Sequence, residues 1–114
     1  MQFSKVFLSL SFVYGTAHAS FVGDATVFNP GLGACARANG DSDFIVAISV
    51  AQFGNGSNCG RNIRATSQGG LSVVATVIDK CIGCGINDID LSPVAFSHLG
   101  NGDDDRIRVT WDFI

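Results

Sequence analysis

The 114-residue chain carries seven basic and ten acidic residues, 46% hydrophobic and 15% charged residues, fourteen glycines and four cysteines. A net charge of −3 argues against nucleic acid as a partner, because phosphate backbones call for a basic face. Every acidic residue is an aspartate, and no apolar run reaches the ~20 residues that a membrane-spanning helix needs.

Lys5 precedes the apolar stretch Val6 to Val13, and Ala17-His18-Ala19 supplies the small-x-small pattern that a signal peptidase cuts. Residues 1–19 are expected to be a secretory leader, leaving residues 20–114 as one secreted, extracellular, monomeric domain with no room for a second core. Loss of Lys5 with the leader would leave six basic residues against ten aspartates, a net of −4. Phe21 to Phe28 and Phe44 to Ser49 read as strands, since each is rich in β-branched or aromatic residues and bounded by turn formers. Asn55-Gly56-Ser57 is a glycosylation sequon on a glycine-rich loop, which makes Asn55 the acceptor. A shorter strand at Asn62 to Ser67 runs through Gln68-Gly69-Gly70, a hairpin turn, into a longer strand from Leu71 to Asp79. Ser92 as cap, Pro93 at the first position, an apolar stripe of Val94, Phe96 and Leu99, and Gly100 at the exit predict a helix over Pro93 to Leu99. Asp103-Asp104-Asp105 reads as a solvated turn, because it lacks the alternating spacing and closing glutamate of a calcium loop. Arg106 to Ile114 alternates, with Ile107, Val109, Trp111 and Phe113 on one face and Arg108, Thr110 and Asp112 on the other. Many tight turns, several strands and one short helix describe an all-β chain suited to a small closed barrel.

Cys35, Cys59, Cys81 and Cys84 form an even set that argues for two bridges, and four cysteines allow three pairings. Cys81-x-x-Cys84 has a spacing that zinc sites and redox motifs also use. Cys35 and Cys59 are too far apart to supply a second close ligand pair, so no metal is expected. No Gly-x-Ser-x-Gly elbow, phosphate loop, flavin fingerprint or nicotinamide fingerprint is present, and no cofactor is expected. What remains is aspartate. Asp79 ends the apolar strand and Asp90 lies between Ile89 and Leu91, where partial desolvation would raise a carboxyl pKa toward the range of a general acid. The competing reading is structural: Asp79 would accept N–H bonds from the Lys80 to Gly85 loop, and Asp90 would brace the helix start.

Gly23-Asp24-Ala25-Thr26-Val27-Phe28, Val77-Ile78-Asp79-Lys80-Cys81 and Asp90-Leu91-Ser92-Pro93-Val94-Ala95-Phe96 occur in that order, closed by Gly102 through Ile107-Arg108-Val109-Thr110-Trp111. Together they resemble the six-stranded double-psi β-barrel of expansins, loosenins, barwin and rare-lipoprotein-A-like proteins, and are most similar to the small one-domain fungal members. The resemblance implies a shallow groove for cell-wall polysaccharide (cellulose, chitin or peptidoglycan) lined by Thr26, Asp79 and Asp90, with Phe28 and Asn29 beside them. It implies loosening without hydrolysis. It also marks Asp90 as the counterpart of the general acid of family-45 endoglucanases, so cleavage of the endoglucanase or lytic transglycosylase type is the alternative. An inverting hydrolase needs a second carboxylate as base. The matching position is Asn29, and Asp24 shares a strand face with Thr26 as a substitute. Cys81 stands where bacterial expansins have an aromatic, Asp88-Ile89 where expansins have histidine and phenylalanine, and the match covers the barrel without the expansins' second domain. The barwin-like pattern implies the pairs Cys35–Cys59 and Cys81–Cys84. Related barrels also include a cysteine-protease inhibitor and defence or effector proteins, which implies a secreted protein target contacted through the loops from Asn29 to Asp43 and Gln52 to Arg61.

Overall fold

A computed structural model describes residues 19–100 and 103–114; all but the last residue of the leader expected on residues 1–19 lies outside them. Six strands close into a barrel: β1 (Phe21–Val27), β2 (Ile45–Ser49), β3 (Asn62–Ser67), β4 (Ser72–Cys81), β5 (Ile89–Leu91) and β6 (Arg106–Phe113). Around the barrel the order is β1-β5-β2-β4-β3-β6. The pairs β1/β5 and β2/β4 are parallel and the other four are antiparallel.

Alternation builds most of the wall. In β6, Val109 and Trp111 are buried and Ile107 and Phe113 half-buried, while Arg106, Arg108 and Thr110 stand outside. The Trp111 ring lies 4.6 Å from Phe21 and 5.4 Å from Phe113, and its Nε1 donates to Asn87 O at 2.8 Å. A buried indole thereby keeps its one polar group satisfied. Val46, Ile48, Ile63, Val77, Ile89 and Leu91 fill the rest of the interior. The β3–β4 hairpin turns through Gly70, whose φ of 92° suits glycine. Gly23 permits a close approach: a Cβ there would stand 2.2 Å from Asn87 O.

Three elements differ from the sequence expectations. The strand that the sequence left unmarked, β5, is only three residues long, too short to show a period of two. A second helix, α1 (Val50–Phe53), adds one turn after β2, with Ser49 Oγ accepting from Gln52 N at 3.2 Å and Gly54 ending it at φ 58°. The expected helix, α2 (Pro93–Ser97), starts at Pro93 but is not capped by the Ser92 side chain. Ser92 is fully buried, and its Oγ donates to Asp43 O at 2.6 Å, tying the helix start to the segment entering β2. Phe96 and Leu99 close one end of the core.

Two disulfides are present, Cys35–Cys59 and Cys81–Cys84, and there are no free cysteines among the described residues. The first packs against the core. The second closes the turn after β4. No helix among the described residues is long and apolar enough to cross a membrane.

Candidate functional site

Strand register brings three of the sequence-predicted side chains into one row. Thr26 on β1 pairs with Asp90 on β5, Asp90 pairs with Ala47 on β2, and Ala47 pairs with Asp79 on β4. Residues paired across neighbouring strands share a face, so the row runs Thr26, Asp90, Ala47, Asp79 over four strands. Ala47 provides a floor with almost no side chain between the two carboxylates. Two strand spacings separate Asp90 from Asp79, roughly 10 Å between backbones.

A bulge sets this row. Val46 pairs with Val77 but Ala47 with Asp79, so the register slips past Ile78. Without the slip Asp79 would pair with Ile48, a core residue; the extra residue carries its carboxylate into the row, a common use of bulges.

Asp90 is half-buried. Its Oδ1 accepts from Thr26 Oγ1 at 2.9 Å, and its Oδ2 lies 4.0 Å from the bridged Cys81 Sγ. Burial pushes its carboxyl above the ordinary carboxylate value, the Thr26 hydrogen bond opposes that, and the charge of Asp79 adds to the rise. Asp79 Oδ1 accepts from Ala34 N at 2.8 Å and from Lys80 N at 2.9 Å. Its carboxylate therefore pins the loop before β2 to the end of β4, in addition to facing the row.

The remaining predicted residues lie around this row. Phe28 follows β1, half-buried, and its N–H reaches Leu91 O at 2.9 Å. Asn29 is exposed, and its Nδ2 donates to both Asp41 oxygens at 3.1 Å. Asp24 is not free to act as a base beside Asp90. Arg106 at 2.9 Å and Arg108 at 3.3 Å hold it, and those two guanidiniums keep its carboxyl below the usual range. Asn55 is exposed. Among the described residues no cluster of three or more potential metal ligands occurs.

Sequence reasoning missed two aspartates. Asp88 braces the wall, accepting from Asp24 N at 2.8 Å and Gly85 N at 3.2 Å. Asp41 places a carboxylate beside Asn29, and its backbone O accepts from Val94 N at the start of α2. Only the pairing of loop 29–43 with the helix start makes that position visible. The loops flanking the row carry Leu32 and Ile82, 78% and 80% exposed.

The closed six-stranded mixed barrel with its two parallel pairs places the chain in the double-psi class. No family model matches the chain. The EG45-like domain containing protein of Citrus jambhiri is 33% identical over 92% of this chain and 89% of its own length. A ripening-related protein of Oryza sativa subsp. japonica is 40% identical over 66% of this chain, which spans about half, 48%, of that relative. Among solved structures, a mutant Clavibacter michiganensis expansin in complex with cellohexaose superposes with a TM-score of 0.75 and 27% identity, over 84% of this chain and 50% of that one. The Streptomyces papain inhibitor superposes with a TM-score of 0.75 and 30% identity, over 84% of this chain and 94% of that one. The chain belongs to the barwin- and expansin-like double-psi β-barrel family.

Proposed function

We propose that this chain is an extracellular protein that binds cell-wall polysaccharide along the Thr26, Asp90, Ala47, Asp79 row and loosens contacts between glycan chains without cutting them. The observation that carries the reading is the row itself. Two carboxylates and a hydroxyl on a flat floor offer acceptors to successive sugar hydroxyls, and hydrogen bonds to charged acceptors are the stronger kind. The related expansin bound to cellohexaose supports the same substrate class.

Hydrolysis by inversion requires a base carboxylate across a water from the acid. Asp79 Oδ1 is taken by the N–H groups of Ala34 and Lys80, Asp24 is held by two arginines, and Asn29 has no carboxylate of its own. These features favour binding over cleavage. The test is a pull-down of the purified protein on insoluble cellulose, chitin and peptidoglycan, with an end-group assay on the supernatant. Depletion without new reducing or anhydro ends is the expected result. New ends would establish a glycan-cleaving enzyme with Asp90 as acid, and no depletion on any of the three would refute the reading.

A second reading, a secreted protein target such as a cysteine protease, draws on the Streptomyces papain inhibitor, which matches this barrel over nearly its whole length. The exposed Leu32 in the loop from Asn29 to Asp43 fits a protein contact.

A further inference from the structure

The two bridges differ in the features that govern thiol–disulfide exchange. Cys35 and Cys59, 24 positions apart, pack against the hydrophobic core. Cys81 and Cys84, three positions apart, sit half-buried at the outer end of β4 in a turn where Ile82 is 80% exposed and Gly83 is exposed. All four cysteines are half-buried, so exposure does not rank the bridges; the difference is that the short one closes only a turn, while the long one packs against the core. The short bridge also has a carboxyl neighbour: Asp90 Oδ2 lies 4.0 Å from Cys81 Sγ. A bridged sulfur has no proton to share with that oxygen. An opened one would hold a thiol or thiolate directly against it.

We propose that Cys81–Cys84 is a thiol–disulfide exchange site, in which Asp90 hands a proton to the departing Cys81 sulfur. The co-reactant is a thiol. Its thiolate attacks Cys84 Sγ, a new S–S bond forms between the incoming sulfur and Cys84, and the Cys81–Cys84 bond breaks with its electron pair leaving on Cys81. Protonated Asp90 gives its proton to that sulfur and becomes a carboxylate. With a dithiol, its second thiolate attacks the sulfur of the first, Cys84 leaves as thiolate, and the dithiol ends as a cyclic disulfide. The bridge has gained two electrons and the dithiol has lost two.

The charge that acts on Asp90 is that of Asp79, across Ala47. Lys80 points its ammonium toward the Phe53 ring, 5.8 Å from its centroid, and Asp88 is turned to Asp24 N and Gly85 N. Once Asp90 is ionised it repels a thiolate on Cys81, so exchange slows. The rate per attacking thiolate falls as pH rises through the Asp90 pKa, which burial holds above the ordinary carboxylate value.

The experiment treats the oxidised protein with dithiothreitol from about pH 4 to 9, traps thiols by alkylation and reads both bridges by peptide mass mapping. No polysaccharide is present, so the outcome is separate from that of the groove reading. Cys81–Cys84 should open roughly tenfold or more sooner than Cys35–Cys59, with an unchanged far-ultraviolet spectrum. Asp90→Asn should flatten the rate-per-thiolate profile. Thr26→Val, which removes the hydrogen bond that lowers the Asp90 pKa, should move the fall to higher pH. Parallel opening of both bridges, or one profile shared by wild type, Asp90→Asn and Thr26→Val, would overturn the proposal.

Discussion

Asp90→Asn separates the two roles open to this carboxylate. The asparagine Oδ1 still accepts from Thr26 Oγ1, now at 2.9 Å from Asp90, while the charge disappears. In the wild type, burial and the Asp79 charge hold the Asp90 pKa above the ordinary 3.8 in spite of the Thr26 bond. An acid raised in this way binds its proton more tightly folded than unfolded, so stability is full below 3.8 and is lost as pH rises through the raised folded-state value. The net direction already includes the Thr26 bond, so a neutral isostere carries no penalty above that window. Its melting temperature should match the wild type at low pH and equal or exceed it at neutral pH. Glycan binding should move the other way: a hydrogen bond to a charged acceptor contributes about 1.5–3 kcal/mol, which is roughly a 10- to 150-fold change in Kd. Scanning calorimetry at acid and neutral pH, with depletion isotherms on insoluble glycan, reads both quantities. A neutral-pH melting temperature lowered by more than about 5 °C, near 1 kcal/mol for a domain of this size, with binding retained, would refute the reasoning and make Asp90 a structural brace.

The two bridges should differ in stability as they do in surroundings. Sequence separations of 24 and 3, which close loops of about 25 and about 4 residues, give about 3.5 and about 1.9 kcal/mol of chain-entropy stabilisation, respectively. Replacing Cys35 and Cys59 by alanine should therefore lower the melting temperature about twice as far as replacing Cys81 and Cys84, and the reverse order in thermal unfolding would refute this. Ala36 sits at φ 63°, a left-handed conformation that a Cβ disfavours; Ala36→Gly should raise stability by about 0.5–1 kcal/mol, and an unchanged or lower melting temperature would count against it.

Local pattern carried the long strands. The alternation in β6 and the β-branched run of β4 announce themselves within a few residues, and Pro93 marks the start of α2. What needs the whole chain was silent. Ser92 has the chemistry of a cap, yet Asp43 O, 49 positions away, claims its hydroxyl. The three residues of β5 carry no period, and nothing in the Val73 to Ile78 run announces the slip at Ile78 that moves Asp79 into the row. Thr26 and Asp90 are 64 positions apart, so their grouping came from family resemblance and not from spacing, and the hydrogen bond between them was not foreseen. The same holds for the cysteine pairing, which counting left threefold open. Asp79 meets the structural reading given for it, since it holds the backbone N–H of Lys80 and, beyond that reading, the N–H of the distant Ala34. Asp90 faces Thr26, where the structural reading expected it to brace the helix.

The closure of the barrel decides how anything can grip it. Each strand has a neighbour on both sides, and where β1 outruns the short β5, Asp88 takes the N–H of Asp24 and Asn87 lies against Gly23. Among the described residues no strand is left with a wholly open edge for another chain to extend. Strand addition, with its indifference to side-chain identity, is disfavoured by this closure as a way of taking a partner. Selectivity must then reside in individual side chains on the outer wall and in the loops. A barrel of this kind can acquire a new ligand by exchanging one row of residues while its hydrogen-bonded frame stays as it was.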